Sequence, residues 1–112
     1  MATFYQPANS LYPAEAFKVR LTDPTDINTA RAILERRMPH KVAGGLIVRG
    51  KSDVNTGYTW HLDPASFQFA DNSLEICDGR ASFVESGLHT YPFFCPWSAS
   101  IEKLEPIPFQ YY

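Results

Sequence analysis

Short stretches in which apolar and polar residues alternate, divided by turn-forming Gly, Asp, Asn and Pro, together with one capped segment of helical spacing, lead to an α+β domain. The expected architecture is one helix packed on a twisted antiparallel sheet of four to five strands. The 112 residues make a single globular domain, 1–112, with residues 1–14 as an N-terminal arm and residues 105–112 as a C-terminal tail. Eight Phe, six Tyr and two Trp in a 45% hydrophobic chain supply a core and exclude disorder.

The elements follow in order. Met1 to Pro13 is polar, proline-containing and without period, hence the arm. In Ala16 to Leu21, Phe17, Val19 and Leu21 alternate with Lys18 and Arg20, the pattern of a strand with one wet face. Asp23 caps a helix that begins at Pro24, where a ring nitrogen loses nothing, and Asp26 complements the positive end of the helix dipole. Ile27, Ala30, Ile33 and Leu34 share a face, Arg36 and Arg37 suit the C-terminal end, and Pro39 stops the helix, giving 24–38. Lys41 to Arg49 alternates again, and Gly44-Gly45 within it predicts a bulge or a close contact with the helix. Gly50 to Gly57 is a polar surface loop, flexible by composition. Tyr58 to Leu62, Phe67 to Phe69 and Leu74 to Cys77 alternate in turn, and Asp78-Gly79 leads into a short helix over Ala81 to Ser86.

With 10 basic and 12 acidic residues, a net charge of −2 and no run of like charges, the chain has no electrostatic footprint for nucleic acid, so no nucleic-acid partner is expected. No stretch approaches the roughly 18 apolar residues of a bilayer span, and no membrane partner is expected. Met1 to Ser10 carries no signal-peptide pattern, which leaves cytoplasmic residence or secretion after processing. A monomer or weak dimer is expected.

Catalytic groups are sparse. His40, His61 and His89 are scattered, and no nucleophile-elbow, zincin, phosphate-loop or Cys-x-x-Cys motif occurs. His61, Asp63, Glu75 and Asp78 would converge only if their strands are neighbours, and wet-face and turn roles account for them better. Nothing beside Cys95 lowers a thiol pKa. No metal, no cofactor and no enzymatic activity are expected. Cys77 and Cys95 allow one possible disulfide, worth about 3 kcal/mol on a chain-entropy argument, or else two buried thiols.

The informative residues are cations on short loops: Arg49 and Lys51 around Gly50, and Arg80 after Asp78-Gly79. Inhibitors of trypsin-like serine proteases offer one basic side chain on a stiff extended loop to an acidic pocket, and stiffness lowers the ordering cost of binding. The leading expectation is therefore a non-enzymatic protein-binding domain, a reversible inhibitor of a trypsin-like serine protease acting through Arg80, Arg49 or Lys51. The alternatives are a calmodulin-type partner bound through Arg31, Arg36, Arg37 and Lys41 of the basic helix, or a small ligand stacked on Tyr58, Trp60, Tyr91 and Trp97.

Thr22-Asp23-Pro24 leading to Ala30-Arg31-Ala32-Ile33-Leu34, then His61-Leu62-Asp63-Pro64-Ala65-Ser66-Phe67, Leu74-Glu75-Ile76-Cys77-Asp78, Phe83-Val84-Glu85 and Cys95-Pro96-Trp97-Ser98 together resemble a family of small fungal and bacterial domains. The same domain forms the N-terminal part of an amoebal calmodulin-binding protein. The likeness spans about residues 15 to 102. It implies the fold first, and protease inhibition as a role among small fungal relatives. Where the family carries a tyrosine and asparagine pair before the tryptophan, this chain has Val54-Asn55-Thr56-Gly57-Tyr58-Thr59-Trp60.

Overall fold

The computed structural model describes residues 1–106. It contains β1 (Ala2–Gln6), β2 (Glu15–Val19), α1 (Pro24–Leu34), β3 (Val42–Arg49), β4 (Trp60–Leu62), β5 (Gln68–Ala70), α2 (Ala81–Ser86), β6 (Phe93–Phe94) and β7 (Ser100–Leu104). The α+β class holds, but the strands form two antiparallel sheets where one was expected. The first has the order β2-β1-β7, and in the second the long β3 pairs with β4, β5 and β6.

The N-terminal arm proves to be the middle of the first sheet. Phe4 faces Phe17 across β2 and Ile101 across β7, so both neighbours depend on β1. Ala2, Phe4 and Gln6 point inward and are buried. The alternation is present in the sequence but short, and its third inward residue is polar. Gln6 belongs inside because every polar atom of its side chain is paired. Its Nε2 donates to the Gly79 carbonyl at 3.0 Å and to Ser98 Oγ at 3.1 Å, and its Oε1 accepts from the Ala81 N–H at 3.0 Å. Of the expected tail, Glu105 pairs its N–H with the Met1 carbonyl, and residues 107–112 lie outside the described residues.

Aromatic rings join the two sheets. Phe17 stacks on Phe4 at 5.4 Å and meets Trp60 at 6.0 Å and Phe94 at 5.5 Å, separations at which ring edges and faces attract. α1 lays Ile27 and Ala30 against this core and packs on β7 and β5. Gly44 is the predicted close contact, with a different neighbour. A Cβ there would stand 2.7 Å from the Phe93 ring and 3.1 Å from the Phe94 carbonyl, so the chain that approaches is β6 and not the helix.

Two further expectations are corrected. Leu74 to Cys77 is not a strand: Glu75–Cys77 forms a single 3₁₀ turn, closed by the Asp78 N–H on the Glu75 carbonyl. The helix expected over 24–38 ends at Leu34. Arg36 then takes a left-handed backbone with φ of 60°. Its N–H reaches the Ile33 carbonyl and that of Arg37 the Ala32 carbonyl, the paired bonds of a Schellman ending. The chain thus turns before Pro39 would have stopped it.

Candidate functional site

Gly50 to Thr59 leaves β3 and returns to β4 as a loop whose local chemistry holds it closed. The Gly50 N–H donates to the Thr59 carbonyl at 2.7 Å, and His61 Nδ1 lies 3.1 Å from the Gly50 carbonyl. Ser52 Oγ accepts the backbone N–H groups of Val54 and Asn55, a serine turn that bends the chain back. Val54 and Asn55 are then buried, at 4% and 1% exposure. Asn55 Oδ1 accepts from the Lys18 N–H and its Nδ2 donates to the Trp60 carbonyl, each at 2.9 Å, so one side chain ties the loop to β2 and β4. Arg20 grips both carboxylate oxygens of Asp53 at 3.0 Å. The flexibility expected from composition is overridden by these contacts.

At the far end of the loop, Thr59 donates its N–H and hydroxyl to the Glu85 carboxylate at 2.8 and 2.9 Å. These two bonds, the backbone one first, and then the charges of Arg49 and Lys51 hold the Glu85 carboxyl below the usual glutamate range. Arg49 is exposed, but its guanidinium donates to the Val84 carbonyl near the end of α2. Lys51 is exposed and enters none of the ion pairs among the described residues.

Arg80 is not on the surface. It is 7% exposed, its Nε pairs with Glu15, and its Nη2 donates to the Pro7 and Pro13 carbonyls at 3.0 Å each. Its guanidinium also lies 5.8 Å from the Tyr12 ring. These partners come from the segment after β1, which packs over α2 and encloses Arg80.

The basic helix is likewise dispersed. Of its four nominated cations only Arg31 lies on α1; Arg36 and Arg37 follow its end, and Lys41 precedes β3. Arg37 pairs with Glu35, and Lys41 with Asp71. The apolar face needed for a wrapped helix is in the core, with Ala30 fully buried. Among the four aromatics, Trp60 is fully buried, Tyr58 packs on it at 5.3 Å with its hydroxyl on the Ala16 carbonyl, Tyr91 is half-buried and Trp97 is 43% exposed. They do not assemble into a stacking platform.

Cys77 and Cys95 are disulfide-bonded, which leaves Cys95 no thiol. His61, Asp63, Glu75 and Asp78 stay apart in function. Asp63 caps the Ala65 N–H, and Asp78 Oδ1 accepts the N–H groups of Gly79 and Trp97. Among the described residues, no three His, Cys, Asp or Glu side chains gather as a metal site, and no helix is long and apolar enough to cross a membrane.

Sequence reasoning missed Asn55 as the anchor of the loop. Its signal was an amide inside a turn-rich stretch between two strands, which is common, whereas its value lies in two partners from different strands. Leu74 and Ile76 were also missed as surface residues, because their alternation with Ser73 and Glu75 imitates a strand.

No curated protein and no solved structure matches the chain. The family model of a calmodulin-binding protein N-terminal domain matches residues 2–108, which takes the likeness drawn from residues 15 to 102 out to the buried first strand. By that match over almost its whole length, the chain belongs to the family of that N-terminal domain.

Proposed function

We propose that this domain binds a protein partner as a reversible inhibitor of a trypsin-like serine protease, with Lys51 as the side chain that enters the acidic specificity pocket. The carrying observation is the Gly50–Thr59 loop, closed at its neck by the 2.7 Å Gly50–Thr59 bond and tied inside by Asn55, with Lys51 exposed on it. A loop already held in one conformation binds without the ordering cost that a flexible peptide bears. A lysine ammonium entering a carboxylate pocket adds a charge-assisted hydrogen bond. If the protease cuts the loop, Asn55 and the Asp53–Arg20 pair keep both ends in place, which favours re-formation of the bond over release. Arg49, engaged with Val84, borders the loop as a secondary contact, and the burial of Arg80 gives it a structural role only.

Trypsin progress curves test this with wild type, Lys51→Ala and Arg49→Ala. The expected result is inhibition by wild type, weakened about 30-fold or more in Lys51→Ala, as for a central interface anchor, and much less in Arg49→Ala. An undiminished trypsin rate at micromolar wild-type protein overturns the proposal. A calcium-dependent complex with calmodulin in its place would transfer the assignment to a calmodulin-type partner.

A further inference from the structure

Around the disulfide the fold leaves large apolar side chains in water. Leu74 is 67% exposed, Ile76 60%, Leu88 66% and Trp97 43%. Their surroundings run together. Ile76 and Leu88 line one cleft of about 350 Å³ with Asp78 and Tyr91, and Tyr91 also borders a second, of about 440 Å³, with Leu74 and Phe93. Trp97 joins the first cleft through Asp78, whose Oδ1 holds the Trp97 N–H at 2.7 Å. Scattered apolar residues need no explanation, but a contiguous set on a rigid frame marks an interaction site.

The frame is rigid here. Cys77 is bonded to Cys95, whose N–H also donates to the Cys77 carbonyl at 2.7 Å. His89, 8% exposed, fixes the opposite wall through its N–H on the Phe83 carbonyl and its Nε2 at 3.0 Å from the Phe93 carbonyl. Leu74 and Ile76 sit on either side of the 3₁₀ turn's first residue and project outward, so they cannot fold back into the core.

Charge selects the partner. The patch carries Glu75 and Asp78, and neither cleft is lined by a lysine or arginine. The nearest cation in sequence, Arg80, is buried against Glu15. A second copy docking by the same face would set these carboxylates against their own equivalents, which opposes self-association. We infer that the disulfide-framed face formed by Leu74, Ile76, Leu88, Tyr91 and Trp97 is a docking surface for a cationic amphipathic segment of a partner protein, its apolar side chains seated in the two clefts and its Lys or Arg beside Glu75 and Asp78. It shares no residue with the Lys51 loop and stands independently of the inhibitor assignment.

The probe is a short synthetic amphipathic peptide of Leu and Lys, with a Leu and Glu peptide of the same pattern as counter-probe. Tryptophan fluorescence reads binding, because Trp60 is buried and Trp97 lies on the face. Wild type is expected to bind the cationic peptide and not the anionic one. Ile76→Ser and Leu88→Ser should each weaken binding about tenfold, Glu75→Lys should reverse the charge preference, and Leu46→Ser, an exposed apolar control on β3, should change nothing. Thermal melts of each variant separate lost binding from lost folding. Binding of neither peptide, equal binding of both, or binding untouched by the Ile76 and Leu88 variants overturns the inference, as does concentration-dependent dimerisation abolished by Ile76→Ser.

Discussion

Gly50-Lys51 and Gly79-Arg80 are nearly the same local string, a glycine and a cation entering a loop beside turn-forming aspartate, yet the fold treats them oppositely. Lys51 stands exposed on a loop closed from within, whereas Arg80 is enclosed by Glu15, Tyr12 and the carbonyls of Pro7 and Pro13. The difference arises from what arrives from elsewhere in the chain. The segment between β1 and β2 covers Arg80 with acceptors that a guanidinium can satisfy in several directions, while Asn55 and Arg20 hold the other loop from its sides and leave its lysine uncovered. A cation after a glycine therefore reports a loop and says nothing of its exposure.

The largest test of that contrast is Arg80→Ala. It strands the 8%-exposed Glu15 carboxylate, and removing one partner of a buried pair costs about 3–5 kcal/mol. Urea denaturation should show a loss of that order, and a loss below about 1 kcal/mol would place Arg80 with ordinary surface residues. Asn55→Ala comes next. It leaves the Lys18 N–H and the Trp60 carbonyl without their partner and should cost about 1–3 kcal/mol, with faster hydrogen exchange at the Lys18 amide. Unchanged exchange there would show that the loop is held without Asn55.

The Glu85 carboxyl offers a smaller effect with a defined sign. The Thr59 N–H lowers its pKa most, then the Thr59 hydroxyl, then Arg49 and Lys51, so it titrates below its ordinary value of 4.5. A depressed folded-state pKa contributes stability that is present above the unfolded value and is lost as pH falls through the folded one. Carbon-detected titration should place Glu85 below 4.5, and Glu85→Gln should flatten the acid limb of the stability profile. A midpoint at or above 4.5 would detach the loop's far end from α2. Smallest is Lys51→Ala, which should change unfolding free energy by no more than about 0.5 kcal/mol. Near-zero stability cost at Lys51 beside a large one at Arg80 is the contrast in its sharpest form.

Much of the scaffold was legible. The strand around Phe17 and Val19, the Asp23-Pro24 helix start and the long strand through Gly44-Gly45 all follow from period, cap and glycine, which act within a few residues. β1 was not, because its inward Gln6 looks polar until Gly79, Ser98 and Ala81 are beside it. The helix end was misplaced for a related reason. A left-handed ending usually announces itself by glycine, and here Arg36 takes that role. The strand expected through Leu74 and Ile76 failed because alternation describes a chain with two unlike sides, and a 3₁₀ turn held by a disulfide presents both of those residues to water.

Apolar period, caps and turn residues were enough to dictate an α+β domain of short strands with one principal helix, because those preferences are set by backbone sterics and by side chains a few positions apart. Which cation is buried, which amide anchors a loop, that the strands divide into two sheets and which apolar residues remain outside emerged only when the elements packed together. Each of these depends on a partner distant in sequence, Glu15 for Arg80 and Lys18 for Asn55, and burial is a property of the assembled neighbours that no local string contains.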